Sequence, residues 1–192
     1  MNKKTIFSII EWLIVVLLLW LCFETYYISI GSSSPEQAHQ LSERSFHYGP
    51  SNVVRKVEVP FDRDQVIFLG KYKDWFSADT VQRKRGRWVP GGSVAGVPID
   101  RDKAISYSWQ GDSPKDSRMS YKFYGYVSDE RITAVELLMT DKKSGKAAPL
   151  REEIKEDRMF LFLWEAKQGS LQWQAIRGLD KDGKVIDEQK LG

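Results

Sequence analysis

The chain has 192 residues, 29 basic and 26 acidic, with two histidines and one cysteine. Near-balanced charge leaves no acidic tail or basic arm, and so few His and Cys exclude a His/Cys zinc cluster. Seven Trp, eight Tyr and nine Phe argue for a folded core rather than disorder.

The first element is the stretch 5–23, TIFSIIEWLIVVLLLWLCF, of which residues 12–23 are uninterrupted apolar. As a helix it reaches roughly 28 Å, about the hydrocarbon thickness of a bilayer, and 12–23 has no polar face of the kind a globular helix shows. Lys3 and Lys4 precede it and Glu24 follows. The bias predicts a cytoplasmic N-terminus and an exported C-terminal part. Trp20, Tyr26 and Tyr27 suit an outer aromatic belt. A cleaved signal peptide would want a shorter apolar core and small residues before the cut, and neither occurs ahead of Gly31. Leu19-Trp20-Leu21-Cys22 resembles a lipobox, but Leu21 stands where that motif needs a small residue. The expectation is a single-pass, uncleaved signal anchor. Its span residues include Thr5, Glu11, Trp12, Trp20, Cys22 and Phe23, and its first partner is the lipid bilayer. Cys22 lies in the span, so the exported part has no disulfide and depends on packing. Glu11, one turn in, is costly inside a membrane unless it snorkels to the interface near Lys3 and Lys4.

Three segments follow: 1–30 as tail and anchor, 31–50 as stalk and short helix, and 51–192 as an extracytoplasmic β domain. Removing Lys3, Lys4, Glu11 and Glu24 leaves the net charge of +3 unchanged. Residues 31–34, GSSS, read as a flexible stalk. Ser34-Pro35-Glu36-Gln37 reads as a helix start, with Ser as N-cap, Pro first and Gln three residues on. A helix over 35–44 follows, and His39 on it reads as a solvated surface histidine.

Strand signals take over at 53–59, 65–72, 78–85 and 87–89, the last two as arms about Gly86. Further strands are expected at 104–109, 121–127, 131–139, 149–154, 158–165, 171–177 and 184–188. Ser128-Asp129-Glu130 is expected as a hairpin turn between 121–127 and 131–139. A second hairpin is expected between 149–154 and 158–165. Residues 159–164, MFLFLW, are apolar without alternation and predict a central strand covered on both faces. Asp180-Lys181-Asp182-Gly183-Lys184 supplies a turn into the last strand. Loops are expected at 90–98 and 111–118. The fold class is mainly β: a transmembrane helix, a short helix, then an immunoglobulin-like β-sandwich or a strongly curved antiparallel sheet.

The C-terminal third, with its two-sided apolar strand, Trp strand and LDKDGKVI, is similar to closing hairpins of immunoglobulin-like bacterial surface domains. Phe46-His47-Tyr48-Gly49-Pro50-Ser51 and Leu69-Gly70-Lys71-Tyr72-Lys73-Asp74-Trp75 resemble small single-span, export-facing Gram-positive proteins, a group that implies no activity. Residues 7–15, FSIIEWLIV, resemble the type IV pilin start, with Glu11 fifth from Phe7; Ile6 stands where pilins carry Gly. That resemblance implies a pilin-like assembly subunit as an alternative.

Chemistry is sparse, and no catalytic, cofactor-binding or metal-binding set is expected. Gly91-Gly92-Ser93-Val94-Ala95-Gly96 has one residue too many for a G-x-S-x-G elbow. A hydrolase using His47 with Ser51 or Ser93 is the enzymatic alternative; it lacks a visible orienting carboxylate. Asp62-Arg63-Asp64 and Asp100-Arg101-Asp102 read as polar turns, not calcium sites. The densest positive feature is Arg83, Lys84, Arg85 and Arg87 with Trp88, a possible interaction patch. Its candidate partners are lipid headgroups, another envelope protein or an anionic wall polymer; nucleic acid is not expected outside the cell.

Overall fold

The computed structural model describes residues 3–45, 48–92, 94, 96–115 and 118–191. Its first element, α1 (Lys3–Ile30), carries the 19-residue stretch Thr5–Phe23, none of it buried by the rest of the protein. This helix is long and apolar enough to cross a membrane. The second, α2 (Pro35–Ser45), starts as its sequence predicts. Ser34 Oγ accepts from Gln37 N at 3.3 Å, while Gln37 Oε1 accepts from Ser33 N and Oγ at 3.2 and 2.9 Å, a capping box displaced by one residue. Residues 31–34, expected as a flexible stalk, are pinned. Ser32 exchanges two backbone hydrogen bonds with Trp88, at 2.7 and 3.0 Å, and is itself buried.

Among the described residues twelve strands follow: β1 (Asn52–Val59), β2 (Asp62–Tyr72), β3 (Trp75–Lys84), β4 (Arg87–Pro90), β5 (Val97–Pro98), β6 (Ile105–Lys115), β7 (Arg118–Val127), β8 (Ala134–Asp141), β9 (Leu150–Glu153), β10 (Met159–Lys167), β11 (Leu171–Leu179) and β12 (Val185–Lys190). They form three antiparallel sheets, ordered β1-β2-β3-β4 with β5 also on β3, β10-β7-β6, and β12-β11-β8-β9. The architecture is mainly β and sandwich-like, as expected, but three sheets deep.

Side-chain alternation explains the stacking. On β10, Phe160 and Phe162 enter a core with Phe123, Val135, Leu137 and Ile176. From the opposite face Met159, Leu161 and Leu163 enter a second core with Ile67, Leu69 and Phe76. The sheet β10-β7-β6 is therefore a middle layer, and that is why 159–164 lacks a polar face. A third, smaller core joins Ala38 of α2 to Val66, Phe68, Val81 and Trp88 on the outer face of the first sheet.

Although β10 is central in the stack, it lies at an edge of its own sheet, paired with β7 alone. Side chains take the place of a neighbouring strand. Glu152 Oε2 accepts from Leu161 N at 2.8 Å, and Arg55 Nη2 donates to Met159 O at 2.7 Å. Arg55 also donates to Asp157 at 2.9 and 2.8 Å and to Glu152 at 2.5 Å, clamping β1 to the β9–β10 corner.

Two expected hairpins are absent. β7 and β8 lie in different sheets, and the segment between them crosses from the middle layer to the outer one. Arg158 gathers the carbonyls of Val127, Asp129 and Ile132 along that crossing. β9 pairs with β8, not with β10, so 149–154 is a strand but not the arm of a β9–β10 hairpin. In both cases short sequence separation invites local pairing, while the two-faced apolar strands on the far side of each connection belong to the middle layer. Within the expected loop 111–118, β6 continues to Lys115 and β7 begins at Arg118, paired with it.

Candidate functional site

The expected patch is built on the β3–β4 hairpin. Arg85 and Gly86 both have positive φ, 49° and 79°, and lie between the paired residues Lys84 and Arg87. This is a two-residue turn of the kind whose twist suits a hairpin. The tip thus follows from Gly86, and the residues flanking it are cationic. Arg83, Lys84 and Arg85 are exposed. Arg87 and Trp88 are half-buried and have other tasks. Arg87 Nη2 donates to Gly31 O at 2.7 Å. Its chain lies so close that a Cβ on Gly31 would sit 2.6 Å from Arg87 Cβ. Trp88 packs in the α2 core. Of the five residues read as one patch, three face outward and two fasten the linker.

The tip also meets α1. The Arg85 guanidinium lies 5.9 Å from the centre of the Phe23 ring, at the end of the stretch Thr5–Phe23. Thr5, Glu11, Trp12, Trp20, Cys22 and Phe23 are all exposed. No family model, curated protein or solved structure matches the chain.

A second constellation was missed in the sequence. His39, expected to be solvated, is 3% exposed. It stacks on Phe68 at 4.7 Å between ring centres. Its Nδ1 lies 2.6 Å from Asp79 Oδ2, and Nε2 lies 3.4 Å from Glu43 Oε1. Ser42 Oγ donates to Asp79 Oδ1 at 2.9 Å, and Glu43 Oε1 accepts from Ser51 N at 3.0 Å. The misreading has a physical cause: α2 is short and mostly polar, but the inward side of a helix can be polar where it meets a buried carboxylate. Two signals were available. Asp79 sits within the run Phe76–Val81 of strand-forming residues, and Ala38, Ser42 and His39, Glu43 recur at helical spacing.

Across the first sheet from Asp79, Lys122 of β7 donates to Ala78 O at 2.5 Å and Thr80 Oγ1 at 2.7 Å. Burial pushes its ammonium pKa down to about 8 against the pull of Asp79 and Asp112.

The connectivity of the His39 group does not build a nucleophile. In a Ser-His-Asp relay the serine donates to the imidazole, whereas Ser42 donates to the carboxylate. Ser42 and Asp79 are at most 1% exposed, leaving no approach for a substrate. What the arrangement does is bind α2 to the sheet through charge-assisted hydrogen bonds.

Of the hydrolase candidates, His47 and Ser93 lie outside the described residues. Ser51 Oγ is buried without a hydrogen-bond partner among the described residues. Asp62 and Asp100 each accept from the backbone two residues on, at 3.1 Å, as polar turns do. Among the described residues no group of three or more His, Cys, Asp or Glu is arranged to hold a metal ion.

Proposed function

We propose that the chain is a single-pass membrane protein with a cytoplasmic N-terminus. Its β domain stands outside the cell and works by contact with another envelope protein or an anionic wall polymer rather than by catalysis. One observation carries this: a helix with an uncovered apolar surface over 19 residues is joined to a folded β domain by a hydrogen-bonded linker. A lipid bilayer covers such a surface over its whole length, and Lys3 and Lys4 favour the inner side for the N-terminus. The reading agrees with the chain's resemblance to small single-span, export-facing Gram-positive proteins.

The test is intact mass of the membrane-extracted protein, with protease shaving of whole cells alongside. The expected result is an uncut chain and a shaved β domain. Cleavage before Phe7 would instead make the chain a pilin-like subunit, and a lipid on Cys22 would make it a lipoprotein. A β domain resistant to shaving in intact cells but cut after lysis would reverse the orientation.

A further inference from the structure

We infer that the β3–β4 tip is a lipid-docking surface: Arg83, Lys84 and Arg85 bind the anionic phospholipid headgroups of the same bilayer that α1 crosses. The inference rests on the membrane reading above.

Two rulers give the height of the tip. From Phe23 to Ser32 the chain climbs nine residues, about 13 Å at helical rise. Ser32 is locked to Trp88. From Trp88 the strand descends through Arg87 to the turn at Arg85 and Gly86, about 7 Å, and the arginine side chain covers the remainder. The two paths meet at the observed contact of 5.9 Å between the Arg85 guanidinium and the Phe23 ring. The hairpin therefore runs down beside α1 and ends where the apolar stretch ends. With Thr5–Phe23 in hydrocarbon, that level is the headgroup layer, the region where Arg and Lys stems lie along apolar material with their charges at phosphate.

Charge and topology agree with this. Arg83, Lys84, Arg85 and Arg87 stand at this end against one carboxylate, Glu24, in the sequence from residue 21 to 34. The cluster is some sixty residues beyond the span in sequence, outside the roughly 15–20 residues whose charges orient a helix. It can therefore be cationic on the outer side without opposing the orientation set by Lys3 and Lys4. A wall polymer would be met by a tip pointing away from the bilayer, and this one points toward it.

The test uses the full chain in lipid nanodiscs, either phosphatidylcholine alone or with about one-third phosphatidylglycerol. Lys84→Cys in a Cys22→Ser background carries an environment-sensitive fluorophore, read with an aqueous quencher. Each basic side chain near an anionic surface shifts such an equilibrium about fivefold. The expected result is a probe more blue-shifted and better protected from the quencher in the anionic discs than in the neutral ones. Arg83→Gln with Arg85→Gln lowers the docked-to-undocked ratio about 30-fold, and Arg83→Lys with Arg85→Lys retains it, which separates lost charge from a damaged hairpin. About 1 M salt releases the probe. A probe equally quenched in both discs, on a chain that co-purifies with them, overturns the docking and leaves the membrane reading standing. Protection appearing only when a soluble glycerol-phosphate polymer is added to neutral discs also overturns it, in favour of the polymer. A chain recovered free of the discs overturns the membrane reading, and the docking with it.

Discussion

Lys122 offers the sharpest test of the stacked-sheet arrangement, because its ammonium is enclosed between the first and middle sheets. Its neighbours include Val59, Ile67 and Leu163 around a cavity of about 20 Å³, room for about one water. Burial lowers its pKa from 10.5 to about 8, which places a burden of about 3 kcal/mol on the fully protonated native state. The sign follows from proton counts: between the folded and unfolded pKa values the unfolded chain binds the extra proton, so stability rises with pH. The burden is fully present below about pH 8 and is relieved as pH approaches the unfolded value. Integrated from about pH 7.5 to about pH 9.5, the gain is about 2 kcal/mol. Tyr48 and Tyr124 are both pushed up by burial, so in the native state they ionise above this window. Urea unfolding of the full chain in mild detergent, followed by tryptophan fluorescence, measures the slope. Lys122→Met should abolish it, whatever its own stability. An identical slope in wild type and Lys122→Met, or a flat wild-type profile, would show that the ammonium is solvated and that the two sheets do not close over it.

The same assay reads two further substitutions. Asp79→Ala leaves His39 and Ser42 buried without their acceptor and should cost about 3–5 kcal/mol. It also removes an attraction that raises the Lys122 pKa, so the pH-dependent rise should begin lower; a loss under about 1 kcal/mol would mean that α2 is held by its apolar contacts alone. Arg55→Met should cost about 2–3 kcal/mol at neutral pH by releasing Asp157, Glu152 and the Met159 carbonyl. Burial raises the Asp157 carboxyl, but hydrogen bonds from Arg55 and Met159 N outweigh it and leave the pKa lowered. Its contribution is therefore complete above the ordinary carboxylate range and fades as pH falls through the folded value. The gap between wild type and Arg55→Met should narrow toward pH 3, and an unchanged gap there would remove Asp157 from the clamp.

Local signals were legible where one segment decides the outcome. Gly86 between cationic arms yields a hairpin, Ser34 with Gln37 starts a helix, Gly183 (φ 79°) turns β11 into β12, and the unalternating run 159–164 is covered on both faces. Pairings that are not made across a short turn were not legible, because they depend on distant segments. β7 and β8 are neighbours in sequence but separate in space, since Phe123 and Tyr124 commit β7 to cores on both sides while β8 belongs to the outer sheet. His39 failed for the same reason, since its setting depends on Asp79, forty residues away. In the cationic cluster the sequence revealed the charge but not the division of labour. Arg87 and Trp88 differ from Arg83 only through what Gly31, Ser32 and α2 bring to them.

The bond between Ser32 and Trp88 also limits how far the domain can travel. A loose tether lets a domain search a volume that grows with its length; here the first residue after α1 is held by Arg87 and the next by Trp88, so there is no slack to pay out. The β domain is carried as a fixed extension of the helix, and any turn of α1 about its axis turns the three sheets with it. On the proposed membrane reading, partners would meet it at the bilayer surface or arrive by lateral diffusion in the same membrane.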